Sequence, residues 1–236
     1  MITFSGRSCK RILYKISGES LMGEQGYGYD IPIMRDIAHD IKLAKSIGIE
    51  ICLVVGGGNI YRGAYGEKMG MDRSVADYMG MMATIMNAIA LQNILEQEGV
   101  SARVQSAIPV TAICEPYIRR RAIRHLEKGR VVIFAAGIGN PFFTTDLRSL
   151  EMGCDFMFKG TSVDGVYTAD PKIEKTAERF DKISYQALIE KNLKIMDISA
   201  VSMARDRKMP IVVFSIKQKD ALKKILSGEC KYTIVE

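Results

Sequence analysis

The chain has 236 residues, 47% hydrophobic and 25% charged, enough to bury a sizeable core as one large domain or two small ones. No run of about 18 apolar residues reads as a membrane span, and Met1 to Arg11 lacks the apolar region of a secretory signal. Cys9, Cys52, Cys114, Cys154 and Cys230 show no C-x-x-C spacing, which argues for reduced thiols in a cytoplasm and against a zinc site or disulfide framework. His39 and His125 are the only histidines, which excludes a multi-histidine metal site and disfavours a histidine-based triad. The net charge of +6 suits anionic ligands, either nucleotides or nucleic acid.

Arg11 to Ile16 is a short strand pattern ending in Ser17-Gly18-Glu19-Ser20. Lys15 interrupts its apolar run, either to meet a phosphate at a strand's carboxyl end or to blunt an edge strand. Gly23, Gly26 and Gly28 make a flexible loop. Ile33 to Ile47 repeats apolar residues at helical spacing, with Gly48 as its stop. Ile51 to Val55 reads as a buried strand running into Gly56-Gly57-Gly58-Asn59, with Arg62-Gly63 close behind. Such a triplet is not expected to serve packing. It either lets a ligand approach the backbone or makes a bare turn, and the preceding strand and Arg62 favour the ligand. The glycines fit neither a Walker A loop nor G-x-G-x-x-G.

Ser74 to Glu98 is the longest helical pattern and is apolar nearly all round, so it belongs in a core or a subunit interface. The stripe Met79, Met82 and Met86 is expected on the chain's own sheet, leaving Met81, Ile85 and Ala88 for a neighbour. Asp77, read in the first turn, suits the helix dipole and could accept hydroxyl hydrogen bonds from a ribose. Tyr117 to Glu127 is a helix whose Arg119, Arg120, Arg121 and Arg124 read as a solvated face. Aromatic interleaving is absent, so nucleic acid is not expected.

Val131 to Ala136 is a strand buried on both faces. It leads into Gly137-Ile138-Gly139-Asn140-Pro141-Phe142-Phe143-Thr144-Thr145-Asp146, followed by a short helical pattern to Met152. Strand, glycine loop and helix start together favour an anion, with the Phe pair as a pocket wall. An ordinary capped connection satisfies the same local pattern. Phe156 to Phe158 is a strand followed by Lys159, and Asp164-Gly165 between valines predicts a hairpin that could present Tyr167 to a base. Helices over 184–191, 198–207 and 221–226 alternate with strands over 211–214 and 232–235. The alternation predicts an α/β sandwich with a mostly parallel sheet, as one unit with two lobes.

These residues resemble the bacterial UMP kinases of the amino acid kinase family. The resemblance rests on Lys15-x-Ser17-Gly18-Glu19, Gly56 to Asn59 with Arg62-Gly63, Gly139 to Asp146, and Val163 to Pro171, and it covers essentially the whole chain. It implies a three-layer αβα amino acid kinase fold, with an acceptor lobe over about 1–150 and an ATP lobe over about 151–236. The implied reaction moves the γ-phosphoryl group of ATP, carried with Mg²⁺, to UMP. Lys15, Ile16, Ser17, Gly18, Gly58, Arg62, Thr161, Tyr167 and Asp170 would hold ATP. Gly57, Asp77, Ile138, Gly139, Asn140, Pro141, Phe142, Phe143, Thr144 and Thr145 would hold UMP. Lys15, Lys159, Asp146 and Arg62 would be catalytic. Gly23, Glu24, Gln25, Gly26, Tyr27 and Gly28 would take the activator GTP, UTP would inhibit, and the assembly would be a cytoplasmic homohexamer. Two departures stand out. The family usually carries about four more residues, close to one helical turn, between Asp146 and Leu147-Arg148. It also often has Ala and Lys where Gly160 and Ser162 stand. Within this fold family an enzyme acting on a carboxylate or carbamate, or a nucleotide-binding protein without activity, are the competing readings. Asp77 and the Asn140 to Thr145 loop favour UMP.

Overall fold

The computed structural model describes residues 2–62, 66, 69–141, 151–171, 173–193, 195–196 and 198–236. The strands are β1 (Ile2–Phe4), β2 (Arg7–Cys9), β3 (Arg11–Ile16), β4 (Glu50–Val55), β5 (Ala102–Ser106), β6 (Glu115–Pro116), β7 (Val131–Ala135), β8 (Phe156–Thr161), β9 (Val166–Tyr167), β10 (Arg179–Phe180), β11 (Lys182–Ile183), β12 (Ile211–Ser215) and β13 (Thr233–Val235). The helices are α1 (Ile31–Ser46), α2 (Arg73–Gln97), α3 (Arg119–Glu127), α4 (Tyr185–Glu190), α5 (Ile198–Asp206) and α6 (Ala221–Leu226).

Among the described residues, nine strands form one sheet in the order β11-β13-β12-β8-β3-β4-β7-β5-β6, and β12–β13 is its one antiparallel pairing. Strand side chains alternate between two cores. Ile12, Tyr14, Ile16, Ile51, Leu53, Phe156 and Phe158 face α1, α2 and α6. Leu13, Cys52, Val54, Val132 and Met157 face α3, α4 and α5. The result is a mostly parallel sheet between two helical layers. β3 lies in its centre, so Lys15 is not an edge-strand lysine.

The predicted elements are displaced by a residue or two at most ends. Asp30 caps α1 by accepting the Ile33 N–H at 3.1 Å, and Gly48 follows with φ of 89°. Ser184 caps α4 through the Ala187 N–H at 3.1 Å. β8 runs on to Thr161, which places Lys159 inside the strand. The pattern over 146–152 lies almost wholly outside the described residues. The β1–β2 hairpin was not expected. Its turn needs left-handed backbone at Ser5 and Gly6, and Phe4 packs edge-on to Phe156 at 5.1 Å between ring centroids.

The reading of α2 is reversed. Met81, Ile85 and Ala88 are buried at 8%, 1% and 0% exposure, whereas Met79, Met82 and Met86 expose 39%, 46% and 51%. Val75 and Tyr78 lie exposed with them. Both stripes are apolar, so hydropathy could not say which met the sheet; small residues on the inward side settle it, as the site shows. By length and composition alone this helix could also cross a bilayer, yet its inward face lies in the protein core.

Asp40 of α1 caps α6 from a distance. Its carboxylate accepts the Leu222 N–H at 2.9 and 3.0 Å and the Lys223 N–H at 3.4 Å. Asp220, the residue before α6, has left-handed backbone and makes no cap bond. Burial pushes the Asp40 carboxyl up to about 6, against the pull of those N–H groups. The folded state therefore binds this proton more tightly than the unfolded state. The contribution to stability is full below about pH 4 and is lost as pH rises through about 6. Asp40→Asn removes the titration. In urea unfolding, the stability of wild type relative to Asp40→Asn should be about 1–3 kcal/mol greater near pH 4 than near pH 7. A difference that is flat with pH would contradict this.

Candidate active site

The parallel strands β12, β8, β3, β4, β7, β5 and β6 end on one edge of the sheet. The chain leaves β3 toward β4 on one side and leaves β8 toward β12 on the other. The gap between β3 and β8 is thus the switch point where open α/β sheets bind ligands. Lys15 and Lys159 are register partners across it, half-buried and on the same face as Leu13 and Met157. Neighbouring strands lie about 4.8 Å apart. The two lysine side chains therefore leave adjacent strands on one face of the sheet, where their positive charge suits an anionic ligand. The Lys159 ammonium donates to the Ile195 carbonyl. Beneath the connection from α4 to α5 lies a cavity of about 680 Å³, lined by Lys15, Leu188, Leu193, Ile195, Met196 and Val201. The sequence reading did not include this connection in the site.

The glycine triplet after β4 packs tightly, contrary to expectation. A Cβ on Gly57 would stand 2.8 Å from the Ala83 Cβ and 2.9 Å from the Gly80 carbonyl of α2. A Cβ on Gly18 would stand 2.5 Å from the Gly58 nitrogen and 2.6 Å from the Gly56 carbonyl. Two backbone turns therefore touch directly, with the Gly56 N–H bonded to the Ile16 carbonyl at 3.0 Å. At Gly58 a Cβ would meet Glu19 less closely, 3.2 Å from its Cγ. Ile16 is fully buried and offers the site only its backbone. Ser17 is exposed beside this contact. Arg62 lies at the rim, half exposed, paired with Glu19 at 3.0 Å, with its Nε 3.4 Å from the Gly58 carbonyl.

A second loop leaves β7. Its turn begins one residue before the glycines, at Ala136, whose φ of 61° is strained for a residue with a side chain. Thr84 of α2 holds it: the hydroxyl accepts the Ala136 N–H at 2.8 Å and donates to the Met81 carbonyl at 2.7 Å. Gly139 has φ of 84° and packs on Ala107. Ile138, Gly139 and Pro141 are half-buried and Asn140 is exposed. Phe142, Phe143, Thr144, Thr145 and Asp146, with the shortened stretch after Asp146, lie outside the described residues. Asp77 is half-buried in the second turn of α2; the cap is Asp72, which accepts the Ser74 N–H at 2.8 Å.

Beyond β8, no hairpin forms at Asp164-Gly165. β9 pairs instead with β10, Val166 opposite Phe180 and Tyr167 opposite Arg179. Gly165 is there for space, since a Cβ would meet the Thr233 hydroxyl oxygen at 2.4 Å. Tyr167 donates to Asp164 at 2.5 Å, a bond that raises the phenol's pKa. Thr161 closes a local turn on Val163 at 2.7 Å, and Asp170 is exposed at the start of the next turn. At Gly160 a Cβ would stand 2.1 Å from an Ile216 methyl, so an alanine there would displace Ile216. The loop over 22–30 is closed by the Asp30 N–H to Leu21 carbonyl bond at 2.7 Å and carries left-handed glycines at 23, 26 and 28. Among the described residues no three His, Cys, Asp or Glu side chains gather as a metal cage.

The model of the Amino acid kinase family matches residues 10–215. The chain is 58% identical over 230 residues to uridylate kinase of Hyphomonas neptunium, covering 96% of this chain and 92% of that one. It is 56% identical to uridylate kinase of Ehrlichia canis, covering 95% and 94%. The crystal structure of UMP kinase from Bacillus anthracis superposes with a TM-score of 0.93 at 38% identity, covering 98% of this chain and 97% of that one. A strand-end lysine pair at the switch point, two loops held on one helix, and relatedness along nearly the whole length lead to one assignment: the chain belongs to the amino acid kinase family, in its uridylate kinase branch.

Proposed function

We propose that this protein transfers the γ-phosphoryl group of ATP to UMP, giving UDP, for pyrimidine nucleotide synthesis. The register of Lys15 with Lys159 carries the reading, because it sets two cations side by side where the loops after β3, β4 and β7 converge. The acceptor is a phosphate, whose second pKa of about 6 leaves it ionised at neutral pH, so no general base is required. The task is to hold two polyanions in line and offset their charge. Lys15, Ser17, Gly18, Gly58 and Arg62 serve the ATP phosphates, with the backbone of Ile16. Thr161, Tyr167 and Asp170 serve the adenine nucleotide. Gly57, Asp77 and residues 138–145 serve UMP, and Asp146 orients the lysine ammonium groups. Mg²⁺ bound to ATP would offset phosphate charge; the chain's own part is to position and neutralise. The division into an acceptor lobe over about 1–150 and a donor lobe over about 151–236 follows the sheet, whose β3 to β7 side comes from the first part of the chain.

The finer properties rest on the family resemblance. GTP would activate through the loop at 23–28, UTP would inhibit, and the enzyme would work in the cytoplasm as a homohexamer. The exposed stripe of Val75, Tyr78, Met79, Met82 and Met86 supports assembly. A contiguous exposed apolar stripe is a liability unless a second copy covers it, and a two-fold contact repeated about another axis closes a particle.

An acceptor panel with ATP·Mg²⁺ tests the activity. UMP should exceed CMP, dTMP, glutamate derivatives and carbamate by at least about a hundredfold in kcat/KM; a preference for carbamate or an acyl acceptor would sink the reading. Lys159→Ala should lower turnover by about a hundredfold or more and leave UMP affinity within about threefold. Weakened UMP binding with normal turnover would remove Lys159 from catalysis. Met82→Glu with Met86→Glu should dissociate the particle in sedimentation, whereas a fully active wild-type monomer would refute the assembly.

A further inference from the structure

Beneath the two loops lies a pair of buried amides that no role above uses. Asn59, at the end of the glycine triplet, and Asn87, in the middle of α2, are 1% and 0% exposed. They bond reciprocally: Asn59 Nδ2 donates to Asn87 Oδ1 at 3.1 Å, and Asn87 Nδ2 donates to Asn59 Oδ1 at 2.6 Å. Each amide spends its other N–H on a backbone carbonyl. Asn87 donates to Gly56 at 2.6 Å and Asn59 to Gly28 at 2.9 Å, while the Gly28 N–H returns to the Asn59 carbonyl at 3.0 Å. All four amide hydrogens have partners, and the two carbonyls fix which way each amide points.

We infer that Asn59 and Asn87 are positioning residues for phosphoryl transfer. Through them α2 holds the Gly56 to Gly58 backbone at the end of β4 and ties the 22–30 loop to the same point, so the two loops move as one body. The inference rests on the proposed active site. It follows from the geometry: close contacts with Gly18 and α2 seat the triplet, the Asn87 amide adds the hydrogen bond that orients the Gly56 carbonyl, and a buried, fully satisfied polar network permits a single arrangement. Losing one partner strands the others away from water, which makes the pair act as a unit.

Asn87→Asp is the test. The variant keeps its size and its acceptor toward Asn59, but at alkaline pH it sets a carboxylate against the Gly56 carbonyl. Near pH 8, turnover per folded molecule with ATP·Mg²⁺ and UMP should fall about tenfold or more, with ATP and UMP binding within about threefold by calorimetry. Burial raises the new carboxyl's pKa, so toward pH 6 it gains a proton, donates again, and the ratio of variant to wild-type turnover rises. Wild-type turnover near pH 8, or a loss that is the same at both pH values, overturns the inference. Should Asn87→Asp not fold, Asn59→Ala decides in the same assay: lost turnover with retained binding supports the role, and wild-type turnover overturns it. Amide exchange reads the tether without any activity. Segments 22–30 and 56–61 should accelerate together in Asn59→Ala, and acceleration of one alone overturns it. A wild-type chain that does not phosphorylate UMP would instead sink the proposed function, leaving the exchange result to judge the tether.

Discussion

The close approach of α2 to the ends of β4 and β7 is the constraint on which the site depends. Four residues on one face of the helix do it: Gly80 and Ala83 leave no room for a side chain at Gly57, Thr84 holds Ala136, and Asn87 holds Gly56. Their spacing of three, four and seven is one stripe of an α-helix. Two are small so that backbones can meet, and two are polar so that loop amides and carbonyls cut off from water keep partners. A larger residue at 57 or 83 would push the loop away from the helix. An apolar residue at 84 or 87 would leave a buried backbone group unsatisfied.

One helix consequently carries three loads. Its inward apolar residues Ile85, Ala88, Leu91 and Leu95 complete the core against the sheet. Its polar and small residues hold the loops after β4 and β7. Its outward methionines lie exposed. A displacement felt on the outward face would reach both loops directly, since the same rigid turns connect them. That gives a physical route between the outward face and both loops without any chain of side chains crossing the protein.

The cationic centre is built differently, by strand register alone. Lys15 and Lys159 belong to strands separated by more than a hundred residues of sequence, yet they fall opposite one another because β3 and β8 pair as Ile12 with Phe156 onward. A slip of one residue would send one lysine into the aromatic core occupied by Tyr14, Phe158 and Phe214. The dense packing of that core is what keeps the register, and so the charge pair, in place. Burial elsewhere pushes thiols such as Cys9 up to about 12, out of the reactive range, consistent with cysteines that serve packing.

The central strands β3, β4, β7, β8 and β12, the longer helices and the glycine stop at Gly48 were legible in the sequence, because buried strands, helical periodicity and a helix-ending glycine are local signals. The two strand-end lysines and the glycine runs were legible for the same reason: each breaks a local pattern. Tertiary structure decided what those breaks were for. It showed Gly56 and Gly57 to be contacts with the Gly18 turn after β3 and with α2, reversed the two faces of α2, and replaced the hairpin at Asp164-Gly165 by a pairing with Arg179 and Phe180. It also brought Asn59 and Asn87 together, two ordinary residues with no local signature. The physical reason is common to all four. A chain segment's own chemistry sets its periodicity and its turns, but which face it buries, and what a missing side chain makes room for, are set by atoms distant in sequence that arrive only when the sheet has closed.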